Sequence, residues 1–315
     1  MFRHPFRRSP LTVLGLALVL LAGGAAAPAA EAAAPPDLSF AAFGDSITRA
    51  AGTCGSEADC PANSWATGTA PEVHSLATRL QETNPDRTVK AANYAKSGSR
   101  IAGVSEAVSS AKAAGADPEL ITLLIGGNDL CSPEVPAGPD GYAMTTAADF
   151  SASASSLLEQ ITSAWPRANV LVGSMPNIAS EWQAVKDSQG KFIWSIFEIC
   201  RTTRGAKADN IVQKGAAFDA AVAAAAERTQ QYNDALASAC AAVGPRCIWD
   251  GGALSQTPIT KDLLSTVDYF HPNVSGQAQI ARVLWGQEGE PAGGVVPSSA
   301  TSPDEDDRLW CADDC

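Results

Sequence analysis

Histidine is scarce in this chain: three in 315 residues, His4, His74 and His271. That shortage argues against a metal centre, which commonly draws on several histidines and carboxylates. No Cys-x-x-Cys pair occurs either, so the eight cysteines lack the usual zinc spacing. Positive charge is also short, with 22 Lys and Arg against 34 Asp and Glu, a formal charge of -12. Such a surface repels phosphates, so nucleic acid is not an expected partner. The same acidity disfavours binding to anionic membranes through charge. Long apolar runs are limited to residues 11–22, too few to span a bilayer comfortably, so no stable membrane anchor is expected.

That run follows Arg3, Arg7 and Arg8 and precedes an Ala-rich stretch. A charged head, a short apolar core and small residues are the layout of a secretory signal peptide. Residues 1–34 are read as that signal, cleaved between Ala27 and Ala34, and the protein as secreted. Eight cysteines, an even number, then favour disulfides. Sequential pairing is expected: Cys54 with Cys60, Cys131 with Cys200, Cys240 with Cys247, and Cys311 with Cys315.

Five short apolar or β-branched runs, at 38–43, 89–95, 120–125, 170–174 and 247–249, alternate with helical stretches. The helices are expected near 70–82, 101–114, 145–165, 209–242 and 275–285, with His74 inside the first as a solvated side chain. Alternating strands and helices predict an α/β fold with a parallel sheet covered on both faces. Residues 178–208 break the rhythm, with Trp182, Trp194 and Phe197 as candidates to line a substrate pocket. The main domain is placed at 35–288. Beyond it, 289–315 is Pro-, Gly- and Ser-rich and then acidic, and is read as a flexible extension.

In open α/β sheets, ligands bind beyond the carboxyl ends of the strands. Ser46, Gly98, Asn128 and the pair Asp268 and His271 are all expected at that edge. A serine hydroxyl becomes a nucleophile when a base takes its proton, and His271 is the available base. Asp268 lies three residues earlier and can orient the imidazole. The Ser46 and Gly98 N–H groups and the Asn128 amide can hold an oxyanion.

Gly44-Asp45-Ser46-Ile47, Gly98, Gly127-Asn128-Asp129 and Asp268-x-x-His271-Pro272 together resemble the four blocks of the SGNH, or GDSL-type, hydrolases. The resemblance runs over most of 38–286, with Ile47 where Leu is common. It implies a flavodoxin-like α/β/α sandwich with a five-stranded parallel sheet. It also implies hydrolysis of carboxylic esters without metal or cofactor, with Ser46 as nucleophile, His271 as base and Asp268 as its partner. Ser64-Trp65-Ala66-Thr67-Gly68 and the segment from Ile125 to Cys131 are similar to the phospholipase B-like branch, and the signal and cysteines resemble secreted actinobacterial members. The expected substrate is a small-molecule or lipid ester, and the expected state a monomer. A carbohydrate deacetylase is the alternative with the same mechanism. A metal-dependent phosphoesterase and a non-catalytic binding protein are disfavoured.

Overall fold

The computed structural model describes residues 36–286. Five strands form one sheet within them: β1 (Leu38–Gly44), β2 (Val89–Asn93), β3 (Leu120–Leu124), β4 (Asn169–Val172) and β5 (Cys247–Trp249). They run parallel in the order β2-β1-β3-β4-β5. Helices α1 (Leu76–Thr83), α2 (Val104–Ala113), α3 (Gly127–Cys131), α4 (Ala147–Ala164), α5 (Ile178–Val185), α6 (Gly190–Ile196), α7 (Ala216–Ala242), α8 (Ala253–Gln256) and α9 (Val274–Trp285) occupy the connections.

Side chains alternate across each strand, and the core divides accordingly. Phe40, Leu120 and Leu124 face a layer with Leu76 and Leu80 of α1 and Ile280 and Leu284 of α9. Phe43, Ile121 and Leu123 face the other layer, with Val108 of α2, Leu157 and Ile161 of α4, and Leu236 of α7. This is the expected sandwich. The expectation of strands buried on both faces holds for β3, whose five residues are all buried. It does not hold at the edges: β2 and β5 are half-exposed, because each has one neighbour and an incomplete helical cover.

Two expectations about helices are corrected. His74 lies outside α1, in the left-handed region at φ 47°, and the helix starts after Ser75, whose hydroxyl accepts from Thr78 N–H as an N-cap. The fourth long helix begins at Ala216, not at 209, because Gly215 and Asn210 take positive φ and residues 206 and 212 pair across a tight loop. The 178–208 excursion carries two short helices, α5 and α6, and continues as turns from Phe197.

The structure joins Cys54 to Cys60, Cys131 to Cys200 and Cys240 to Cys247. Cys311 and Cys315, the signal stretch and the acidic extension lie outside the described residues. The Cys131–Cys200 bridge ties the end of α3 to the excursion and closes 69 residues, against 6 and 7 for the others. On loop entropy alone it is worth about 4 kcal/mol, and each short bridge about 2. Denaturant melts should therefore show Cys131→Ala/Cys200→Ala losing about twice the stability that Cys54→Ala/Cys60→Ala loses. Equal losses would refute the ordering.

Candidate active site

Four loops leave the carboxyl edge of the sheet near the point where strand order reverses, between β1 and β3. Gly44 ends β1 at φ 154°, and a Cβ there would collide with the Leu124 carbonyl and the Thr48 hydroxyl. Only glycine lets β1 turn so closely against β3. Asp45 follows, buried, and its Oδ1 accepts from Ile47 N–H at 2.9 Å. The turn is locked from beneath by Gln277 of α9, whose amide donates to Ile47 O at 2.9 Å and accepts from Trp65 N–H at 2.9 Å. Ser46 is thereby presented at a rigid corner.

His271 arrives from the opposite end of the chain. Its Nε2 lies 2.8 Å from Ser46 Oγ, and its Nδ1 lies 2.5 Å from Asp268 Oδ2. Burial would raise the Asp268 pKa, but the hydrogen bond and charge of His271 and the N–H groups of Phe270 and His271 outweigh it. The carboxyl is thus held below its usual value, and a carboxylate only accepts. Nδ1 then carries a proton, so in the neutral ring Nε2 is the acceptor that faces the serine hydroxyl. Asp268 Oδ1 accepts from both Phe270 N–H and His271 N–H at 2.9 Å, so the acid fixes the backbone as well as the ring.

The loop needs that support because Tyr269 sits at φ 56°. Trp194 Nε1–H donates to Tyr269 O at 2.9 Å, and Ser265 ties the loop to Gly52 O at 2.8 Å. Gly190 lets α6 lie flush on it; a Cβ there would come within 2.8 Å of Val185 Cβ and 2.9 Å of Tyr269 Cβ.

On the other side, Asn128 Nδ2 donates to Ser99 O at 3.0 Å, which links the β3 loop to the turn holding Gly98. One hydrogen of that amide is committed and one remains. Among the described residues, neither Ser46 N–H nor Gly98 N–H donates to a protein acceptor. Asp129 braces the same corner, accepting from Ile101 N–H at 2.8 Å and from the Thr145 hydroxyl at 2.9 Å. A groove of mixed character, about 800 Å³, opens beside Gly98, lined by Lys96, Arg100, Glu134 and Asp149 together with Val135 and Met144.

The structure therefore brings Ser46, His271 and Asp268 into one relay, with Gly98 and Asn128 joined through Ser99 nearby. The aromatic candidates behave differently. Trp194 is wholly buried and braces Tyr269 and Phe270, which corrects its expected place in a pocket lining. Trp182 stacks on Trp194 at 5.3 Å and edges a separate hollow, and Phe197 is exposed on the surface. His74 pairs with Glu82 at 2.7 Å, far along the chain from the relay.

Sequence reasoning gave no role to Gln277 or Glu181, and met Asp45 and Asp129 only as members of the family blocks, Asp45 also as a ligand in the disfavoured metal reading. Glu181, on α5, is buried beside an apolar cavity of about 30 Å³ behind Phe270 and Pro272. Its Oε1 has no partner among the described residues, and burial, then the charge of Asp268, pushes its pKa well up.

A model of the GDSL-like Lipase/Acylhydrolase family matches residues 42–279. No curated protein sequence matches the chain. Among solved structures, it is similar to an extracellular lipase from Streptomyces rimosus, at 16% identity and a TM-score of 0.42, covering 78% of this chain and 98% of that one. It is similar to the psychrotrophic esterase EstA from Pseudoalteromonas sp., at 12% identity and a TM-score of 0.42, covering 79% and 95%. A carbohydrate esterase family 2 enzyme from Corynascus thermopiles (Myceliophthora fergusii), with its carbohydrate binding domain, matches at 15% identity and a TM-score of 0.44, covering 81% and 66%.

Burial lifts the carboxyls of Asp45 and Asp129 to about 6 from an ordinary 3.8, and Asp129 adds to the rise at Asp45. Between these values the folded chain holds protons that the unfolded chain has released, so stability falls as pH rises through the window. Thermal melts from pH 4 to 6 should show this decline, and Asp45→Asn, which keeps an acceptor for Ile47 N–H, should flatten it. Parallel curves for the two proteins would remove Asp45 from the account.

Proposed function

The chain belongs to the GDSL-like lipase/acylhydrolase family, and on that premise we propose that it is a secreted serine hydrolase of carboxylic esters. The continuous relay from Asp268 through His271 to Ser46 carries this reading. Ser46 Oγ attacks the ester carbonyl while its proton passes to His271 Nε2. Asp268 steadies the imidazolium that results. The tetrahedral oxyanion is held by the N–H groups of Ser46 and Gly98 and by the free hydrogen of the Asn128 amide. Collapse breaks the ester C–O bond, and His271 returns the proton to the leaving alcohol. Water then attacks the acyl-serine with His271 again as base, releasing the acid and restoring Ser46. Every group in these steps comes from one chain, so a monomer suffices, and none of the steps calls for a metal or cofactor. The disulfides support an extracellular setting.

Lipid or phospholipid acyl esters are the proposed substrates, in keeping with the lipase/acylhydrolase family and with the large apolar side chains exposed on the outer face of the segment that braces the His271 loop. The charged side chains of Lys96, Arg100, Glu134 and Asp149 along the groove beside Gly98 favour the second reading, removal of acetyl groups from a carbohydrate. Acyl release from phospholipid vesicles and acetate release from acetylated xylan separate the two.

On p-nitrophenyl esters, Ser46→Ala should lose turnover by about 10⁴ or more with its melting temperature unchanged. Asn128→Ala should lose about 10²–10³ in kcat. Full turnover by folded Ser46→Ala would defeat the assignment.

A further inference from the structure

The excursion that braces His271 turns large apolar side chains outward. Phe192 is 69% exposed, Ile196 74%, Phe197 52%, Ile211 61% and Val212 48%. Within α6 the division is helical: Gly190 and Trp194 face inward onto the Tyr269 loop, while 191, 192 and 196 face solvent. The loop 206–212 lies against the same helix, since Asn210 Nδ2 donates to Ser195 O at 2.8 Å. Phe192 and Val212 meet across a hollow of about 390 Å³ that also contains Lys186, Lys191 and Trp182. Soluble proteins seldom display such a cluster without a use for it.

Charge identifies the partner. Between 186 and 214 the chain has six Lys or Arg and three Asp or Glu, a balance of +3, while the whole chain is at -12. Lys191, Lys207 and Lys214 are exposed beside the apolar residues against two exposed acids, Asp187 and Asp209, and Arg201 and Arg204 lie buried beneath them. The net charge of the chain repels an anionic surface from afar. At physiological salt the screening length is about 8 Å, so on contact the local balance prevails. Apolar side chains ringed by lysines suit an interface that is oily within and negative at its face.

We propose that Phe192, Ile196, Phe197, Ile211 and Val212, with Lys191, Lys207 and Lys214, form a surface that docks on anionic lipid bilayers. The inference extends the lipid reading of the function and places the active site beside the bilayer. A ladder of rings connects the two: Trp182 to Trp194 at 5.3 Å, Trp194 to Phe270 at 5.6 Å, and Phe270 to His271 at 5.2 Å.

The test is cosedimentation of the full chain with vesicles of phosphatidylcholine alone or with one third phosphatidylglycerol, alongside turnover of a soluble short-chain ester. Binding should favour the anionic vesicles and weaken as salt is raised. Phe192→Ser/Ile196→Ser should weaken it by roughly tenfold or more. Lys191→Glu/Lys207→Glu should do likewise through charge. Both should retain wild-type turnover of the soluble ester and wild-type melting temperature. Failure of the wild type to bind, or undiminished binding by both folded variants, would overturn the surface. So would a dimer that Phe192→Ser/Ile196→Ser dissolves, because a second copy would then be the occupant. Vesicle binding without ester turnover would leave the docking surface standing and remove the hydrolase reading. Turnover without vesicle binding would do the reverse.

Discussion

The contact between Asp268 and His271 is the interaction on which the site depends. One carboxylate oxygen takes the ring Nδ1–H, and the other takes two backbone N–H groups from the same short loop. A single charge therefore sets the tautomer, the ring orientation and the path of the chain. It also offsets the left-handed turn at Tyr269, a conformation a bulky residue seldom adopts unaided. Remove the carboxylate and the ring is free to turn, while the two N–H groups lose their acceptor. The site is sensitive at this point because three hydrogen bonds from a half-buried loop converge on one carboxylate.

Around that contact the fold acts as a jig. The nucleophile's corner and the histidine's loop come from ends of the chain separated by 225 residues. Parallel strand order brings them to one edge, but it does not fix their spacing to a few tenths of an ångström. Gln277 does so from one side, joining α9 to the turn after β1. Trp194 and the bare Cα of Gly190 do so from the other, seating α6 on the Tyr269 carbonyl and ring. The bridge from Cys131 to Cys200 then ties α3, which carries Asn128, to the same excursion. The two halves of the proposed oxyanion and relay machinery thus share one frame.

Ser46 and Asn128 were legible in sequence because each stands just past an apolar strand, where open α/β sheets put ligands, whereas Asp268 and His271, well past β5, were legible through their three-residue spacing and the family resemblance. The parallel, helix-covered sheet followed from the alternation of elements and from the family resemblance; its strand order came from the structure. The supporting residues were not legible, and the reason is physical. Gln277 is an ordinary helical glutamine until its partners, 212 and 230 residues away, are known. Trp194 in an apolar run fits a pocket wall as well as a core, and only the geometry of its indole N–H decides for the core. The late start of α7 turned on left-handed backbone at 210 and 215, which the alanine-rich pattern downstream overshadowed. His74 was assigned to a helix by its neighbours, although Ser75 directly after it is a strong cap.

The acids around the relay bring the argument to a trade-off. Asp45 and Asp129 are buried, and each would be easier to accommodate as a neutral residue. Their desolvation works against folding once they ionise. Asp45 nevertheless feels the attraction of His271, which offsets part of its burial. That attraction is mutual: negative charge at Asp45 favours positive charge developing on the imidazole as it takes the serine proton. The charge that weakens the folded state therefore acts in the same sense as Asp268 during the proposed proton transfer. A neutral replacement would relieve the fold and remove that help together, which is the form a stability cost takes when it is kept for function.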